Sequence, residues 1–414
     1  MSRRAAARLV LAALCSTVLS LGTAAVAAGA APSLSATAAV LYAPQTGQIL
    51  YGLNDQREVA IASTTKLMTA LIVLQHVHHL GTIFTQNDFY PAAADSQIGL
   101  VPGERMSVHD LLIAMMLPSA DDAAEDLADN VGDGSLARFV GMMNAEARTL
   151  GLSHTHYSTP IGLDTPGNYS TASDLVHLAE YDFTHSPYFA RIVALHSAVL
   201  HTGPVGEVVN RNDLVGAVPW INGVKTGHTA AAGYVLVASG QRSGMTLISA
   251  VLGTDSEESR DANTMALLDY GFGDFALRTP VHAGQVLARP AVKDRPGVHA
   301  PLAAAESFSR VLGRSDRVRV EVDAPKQLIG PLPAKSVVGT AAVIAGGRVI
   351  GRVPLMVTRA LPRVSGLTVT ARILTRPLIL GIIVLLAAGT VGLRRSRRRR
   401  DRRVRGAVTE MEAA

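Results

Sequence analysis

The sequence predicts an α+β protein: an antiparallel sheet with helices, then a small mainly-β domain, then a C-terminal transmembrane helix. Three observations predict it. From Ala36 to about Phe272, short strands joined by hairpin turns are interspersed with helices of apolar periodicity, unlike a regular βαβ series. After Phe275 helical periodicity fades, and short alternating runs appear among frequent prolines and glycines. Near the end, Pro377 to Leu393 is a run of 17 uncharged residues, at the short end of what spans a bilayer.

At the N-terminus Arg3, Arg4 and Arg8 precede an apolar stretch from Leu9 to about Val26, and small residues follow at Ala25 to Ala31. This is the pattern of a secretory signal peptide over residues 1–31. The single cysteine, Cys15, lies inside it, so the exported chain is expected to have no disulfides. Thr37 to Tyr42 and Gln48 to Tyr51, joined by Ala-Pro-Gln-Thr-Gly, read as a hairpin. Ser63 to Val77 carries Leu67, Ala70, Leu71 and Leu74 on one face, a helix opened by Ser63. A helix over Val108 to Leu117 breaks at Pro118, and another runs from Asp121 to Ala128. Gly233 to Ser239 and Met245 to Leu252 form a second hairpin, which completes a first domain over residues 36–275. Arg317 to Val322, Ser336 to Ile344 and Arg348 to Val357 are the strands of the β-rich domain, residues 279–362.

The span at 377–393 is followed by a basic tail, 394–414, that opens Arg-Arg-Ser-Arg-Arg-Arg-Arg. Arginines beside an apolar helix are retained on the cytoplasmic side, so the tail is expected inside and the domains outside. The formal charge of +5 would suggest a polyanion partner, but it comes from the two ends. Residues 32–376 hold 26 basic and 30 acidic side chains, a net of −4, which argues against nucleic acid as a partner.

The chain has 33 arginines but five lysines, Lys66, Lys225, Lys293, Lys326 and Lys335. A desolvated lysine can serve as a base where an arginine cannot. Lys66 stands three residues after Ser63, so one helical turn brings the amine to the hydroxyl, a serine nucleophile with its base. Alone, that pair is weak evidence, because a serine often merely caps a helix. Two further segments follow in order, Ser119-Ala120-Asp121 after a helix and Lys225-Thr226-Gly227-His228-Thr229 at the start of the second hairpin.

Ser-x-x-Lys, Ser-x-Asn/Asp and Lys-Thr-Gly in this order resemble the penicillin-binding proteins and serine β-lactamases. The stretches Ala-Ser-Thr-Thr-Lys-Leu-Met-Thr-Ala, Leu-Pro-Ser-Ala-Asp-Asp-Ala-Ala, Met143-Asn144, Tyr169-Ser170-Thr171-Ala172 with Asp174, and Asn222 to Thr229 narrow the resemblance to the low-molecular-weight D-alanyl-D-alanine carboxypeptidases. It covers about Ala36 to Phe272, and more faintly the β-rich segment with Leu328-Ile329-Gly330 and Val353-Pro354-Leu355.

The resemblance implies a β-lactamase/DD-peptidase-like fold and removal of the terminal D-alanine from peptidoglycan stem peptides ending in D-Ala-D-Ala. It implies acylation by β-lactams such as penicillin, no cofactor and no metal. Ser63 would attack, Lys66 would be the general base, and Ser119 would relay a proton to the leaving group with help from Lys225. Backbone N–H groups of Ser63 and His228 would form the oxyanion hole. Lys225, Thr226, Thr229 and Arg260 would hold the substrate carboxylate, and Gly227 would leave room for its backbone.

Asp121 departs from the usual asparagine. A carboxylate can only accept, so the amide donor is lost, and near Lys66 it favours the ammonium. Reduced turnover is therefore expected, and a catalytically weakened binding protein stays open as an alternative. A β-lactamase is the other, although Glu207-Val208-Val209-Asn210 lacks the setting of a deacylating glutamate loop. His76, His78, His79, His154 and His156 show no metal-ligand spacing.

Overall fold

The computed structural model describes residues 30–86, 96–363 and 377–411, so nearly all of the signal peptide read over 1–31 lies outside the described residues. The chain divides into two compact units, Met1–Arg278 with Arg310–Asp316, and Thr279–Ser309 with Arg317–Ala414.

The first unit is built on five strands, β1 (Ala38–Ala43), β2 (Gln48–Leu53), β3 (Ile221–Thr229), β4 (Gly233–Arg242) and β5 (Met245–Thr254). They form one antiparallel sheet in the order β2-β1-β5-β4-β3. The sheet is covered on both faces, and the period of two sorts the strand residues. Val40, Tyr42, Val235 and Val237 join the larger core, with helices α1 (Lys66–His76), α2 (Val108–Met116), α3 (Asp121–Val131) and α4 (Ala172–His185). Ala39, Leu41, Leu236 and Ala238 face α5 (Glu257–Asp274) through Leu267, Leu268 and Phe272. All six residues of β1 are buried, which is why it reads as a continuous apolar run.

The helix expected to open at Ser63 starts later. Ala62–Thr65 is a 3-10 turn, and α1 begins at Lys66 without a side-chain cap. Residues three apart eclipse in a 3-10 turn, so Ser63 sits directly under Lys66. Every residue from Lys66 to Val73 is buried, so α1 runs through the core and is not a surface helix with one wet face. The other helix starts are conventional: Ser107, Thr171 and Ser256 each accept from the backbone N–H three residues on.

The second unit holds an antiparallel sheet of β6 (Val286–Ala288), β7 (Leu302–Ala304), β8 (Val318–Asp323), β9 (Val337–Ala345) and β10 (Arg348–Val357), in the order β6-β7-β10-β9-β8. Its core of Val281, Leu302, Ala341, Val343, Val353 and Leu355 is aliphatic and small.

The C-terminal segment is a single helix, α6 (Pro377–Met411). The expected transmembrane span needs correction here. Among the described residues no helix is long and apolar enough to cross a membrane. The 17 uncharged residues before Arg394 rise about 25 Å as a helix, short of roughly 30 Å of hydrocarbon.

Candidate active site

The site is a cleft of about 450 Å³ beside the edge strand β3, lined among others by Ser63, Ser119, Asp121, Thr226, Gly227, His228, Thr229 and Arg260. Ser63 is half-buried on the 3-10 turn, one residue after Ala62, whose φ of +47° is left-handed for a non-glycine residue. The loop opposite makes room for that turn. A Cβ on Gly162 would lie 2.0 Å from the Ala62 carbonyl oxygen, so only glycine fits. Gly227 is under the same constraint from β3, since a Cβ there would fall 2.8 Å from the Ser63 nitrogen. The strand thus passes within touching distance of the Ser63 N–H.

Lys66 is 0% exposed. Its Nζ lies 2.9 Å from Ser63 Oγ, 2.5 Å from Asp121 Oδ1 and 2.9 Å from the Ile161 carbonyl oxygen. An ammonium can donate to all three. A neutral amine can donate to Asp121 and Ile161 and turn its lone pair to the Ser63 hydroxyl, the arrangement a general base requires. The Ile161 carbonyl is held in place from both sides. Thr69 donates to the Pro160 carbonyl at 2.6 Å, and Asn168 reaches from the same loop to Thr65 at 3.3 Å.

Ser119 follows Leu117-Pro118 in a left-handed conformation, φ +68°, and is 4% exposed. Its Oγ is buried with no hydrogen-bond partner among the described residues. A strained residue with an unused hydroxyl facing a cleft is a poor structural device and a suitable proton relay. Asp121 opens α3, where the helix N-terminus favours a carboxylate. The neighbouring Asp122 is 0% exposed and accepts from the backbone N–H groups of Ile98, Gly99, Leu100 and Ala123, which ties 98–100 to the start of α3.

Lys225 is 1% exposed, and its Nζ donates to the Thr226 carbonyl at 3.0 Å. Burial, with the positive charges of Lys66 and Arg211 next in weight, holds its pKa well below the usual lysine value. Arg260 is 2% exposed, with its guanidinium oriented by both carboxylate oxygens of Asp261 at 2.8 and 3.2 Å. The planar fork is therefore held rigidly where it lines the cleft.

Thr229 departs from its expected part. Its hydroxyl donates to Asp164 Oδ1 at 2.6 Å and accepts from the Ala232 N–H at 3.1 Å, while Asp164 Oδ2 accepts from the Ala231 N–H at 2.9 Å. The hydroxyl thus bridges to Asp164 across the cleft mouth, while Thr226 and Arg260 line the cleft. His228 is exposed and stacks on Tyr234, ring centroids 4.0 Å apart, leaving its backbone to the cleft.

Ser96, Asp164, Arg211 and Glu257 also line the cleft and carry no sequence signal. Arg211 arrives because its N–H donates to the Leu117 carbonyl, just ahead of Ser119. Asn144 and Asp174 turn out to be structural. Asn144 bonds both ways with the Tyr157 backbone, and Asp174 accepts from the His154 N–H and the Thr155 hydroxyl.

Comparison with known proteins agrees with the fold. Residues 25–256 match the D-alanyl-D-alanine carboxypeptidase family, and residues 275–363 match the C-terminal domain of penicillin-binding protein 5. The chain is 34% identical over 343 residues to D-alanyl-D-alanine carboxypeptidase DacC of Escherichia coli, an alignment covering 79% of this chain and 84% of that protein. Penicillin-binding protein 5 from Haemophilus influenzae superposes with a TM-score of 0.65 at 28% identity, over 80% of this chain and 99% of that one. A Streptomyces DD-transpeptidase gives 0.55 at 34% identity, over 58% of this chain and 98% of its own. With a family match across more than half of its length, the chain belongs to the D-alanyl-D-alanine carboxypeptidase family.

Proposed function

We propose that the protein is a serine-type D-Ala-D-Ala carboxypeptidase that trims the terminal D-alanine from peptidoglycan stem peptides, and that penicillin acylates it at Ser63. The observation that carries this reading is Lys66 Nζ, buried and in hydrogen-bond contact with Ser63 Oγ in a cleft that also holds Ser119 and Arg260.

In this reading Ser63 Oγ attacks the carbonyl carbon of the penultimate D-alanine while Lys66 takes the hydroxyl proton. The substrate lies along the free edge of β3, where the N–H groups of Ser63 and His228 receive the oxyanion. The C–N bond then breaks, and Ser119 passes a proton to the departing amine and takes in its place the one Lys66 received from Ser63, assisted by the buried amine of Lys225. Thr226 and Arg260 bind the terminal carboxylate. Water cleaves the Ser63 ester and restores the hydroxyl.

The division at residues 36–275 and 279–362 makes the first segment the catalytic domain and the second its β-rich companion. Arg3, Arg4 and Arg8 before the apolar run support export, and the uncharged 377–393 stretch with its arginines supports C-terminal membrane association. Fractionating cells that carry the full chain or one ending at Arg376 tests the anchor; equal release of both into the soluble fraction rejects it.

The activity itself is tested by incubating the soluble part, about residues 32–370, with a fluorescent penicillin and separately with a peptide ending in D-Ala-D-Ala. Label at Ser63 together with released D-alanine is the expected result. The buried Asp121–Lys66 pair makes a slow or non-turning-over binding protein the alternative to check, which label without release would single out. Rapid destruction of the antibiotic would indicate a β-lactamase.

A further inference from the structure

Helix α3 carries an unusual load of buried acid. Asp121, Asp122, Glu125 and Asp126 are 5%, 0%, 6% and 2% exposed. Asp122 is accounted for by its backbone donors, and Asp126 accepts from Asn130. Glu125 is different. Its Oε2 is buried with no hydrogen-bond partner among the described residues. It stands four residues after Asp121, which places both carboxyls on one face of α3, and Asp121 is the residue that grips Lys66 at 2.5 Å.

A buried carboxyl with one oxygen lacking a donor is poorly solvated as an anion, and burial pushes Glu125 up to about 7. The charged groups acting on it are the Asp121 and Asp129 carboxylates of its own helix, which push the same way, and Lys66 of α1, which opposes them. Near neutrality, then, the cluster holds a proton that it loses as the pH rises. That loss adds negative charge that acts on the amine that must accept the Ser63 proton.

We propose that Glu125 is a positioning residue for the Ser63–Lys66 pair: protonated, it adds no charge to the surroundings of Lys66, and ionised, it reinforces Asp121 in holding Lys66 as an ammonium and slows acylation. The inference rests on the reading of Ser63 and Lys66 given above. Glu125 does not touch substrate. It acts through charge on Lys66, alongside Asp121, and holds back the gain in reactivity that loss of the Lys66 proton brings as the pH rises.

The test is the pH profile of acylation by a fluorescent penicillin, measured as a rate from pH 6 to 9 on the soluble part, for the wild type and Glu125→Gln. The amide has the shape of the protonated acid and cannot ionise. The ratio of variant to wild-type rate is expected to rise with pH, from near one at pH 6 to about five- to tenfold at pH 9. A loss of structure would instead lower the rate at every pH. Asp129→Asn supplies an independent arm, because removing that charge lets Glu125 ionise earlier, so in that background the effect of Glu125→Gln should begin at lower pH. A variant-to-wild-type ratio that does not change with pH, or one whose rise is unmoved by Asp129→Asn, overturns the proposal. No acylation of the wild type at any pH is a distinct outcome, which rejects the reading of the site and this inference with it.

Discussion

Lys66 Nζ and Asp121 Oδ1, from residues 55 positions apart, meet at 2.5 Å with the lysine side chain fully shut off from water. The contact couples α3 to the base of the site. In a low-dielectric setting a carboxylate at this range stabilises the ammonium, and an ammonium cannot take the Ser63 proton.

Replacing that carboxylate by an amide is therefore expected to raise activity. Asp121→Asn keeps an oxygen to accept from Lys66 and adds an N–H that can donate to the substrate carbonyl. The penicillin acylation rate at pH 7 should increase by about tenfold. Thermal unfolding of the same variant should show some loss, because a buried ion pair has been opened. An unchanged or lower acylation rate with an intact fold contradicts the role given to Asp121.

Ser119 offers the opposite signature. Its hydroxyl bonds to nothing among the described residues, so Ser119→Ala should leave the unfolding temperature nearly unchanged. Turnover of a D-Ala-D-Ala peptide should nevertheless fall by about 10²- to 10⁴-fold, the usual worth of a positioned proton donor. Parallel losses of stability and rate would make the residue structural.

The contrast between these residues shows how far the sequence could be read. Ser63, Lys66, Ser119 and Lys225 were legible because their chemistry is written within short segments and their order is informative. The two central hairpins were legible because turn residues separate apolar runs, seen in the structure as β1–β2 and β4–β5. The 3-10 turn under Ser63 was not, since it depends on Gly162 from a loop about a hundred residues away. Arg211 and Asp164 were equally silent, because both enter the cleft through long-range contacts, Arg211 with Leu117 and Asp164 with Thr229 and Ala231. Glu125 has no local signal at all. Its meaning comes from burial, and a helix with acids on several faces reads in sequence as a solvated one.

Thr226 and Thr229 both lie in the Lys-Thr-Gly-His-Thr stretch, and the structure separates them. Thr226 lines the cleft 5% exposed, whereas the Thr229 hydroxyl is engaged by Asp164. Thr226→Val should raise KM for the peptide by several-fold through a lost hydrogen bond to its carboxylate, with little effect on stability. Thr229→Val should cost about 1 kcal/mol of stability and change KM much less. Steady-state kinetics paired with thermal unfolding distinguishes the two, and the reverse pattern would return Thr229 to the substrate.

Away from the cleft, α4 buries Asp182 completely, with one carboxyl oxygen unpartnered among the described residues and burial raising its pKa well above the ordinary value. A carboxyl whose folded pKa is raised binds its proton more tightly in the native state than in the unfolded chain. From about pH 4 upward the unfolded chain releases that proton while the folded one retains it, so stability falls as pH rises through this window. Asp126, pushed up to about 7 by burial, adds a decline of the same sign. Asp182→Asn removes the first contribution, because an amide of the same shape does not ionise. The variant should match the wild type near pH 4 and exceed it by roughly 1–3 kcal/mol at pH 7, a few degrees in Tm for a domain of this size. Thermal unfolding at pH 4, 5.5 and 7 measures the gap, which must widen with pH. A constant gap would mean that Asp182 matters through shape alone, with its ionisation playing no part in stability.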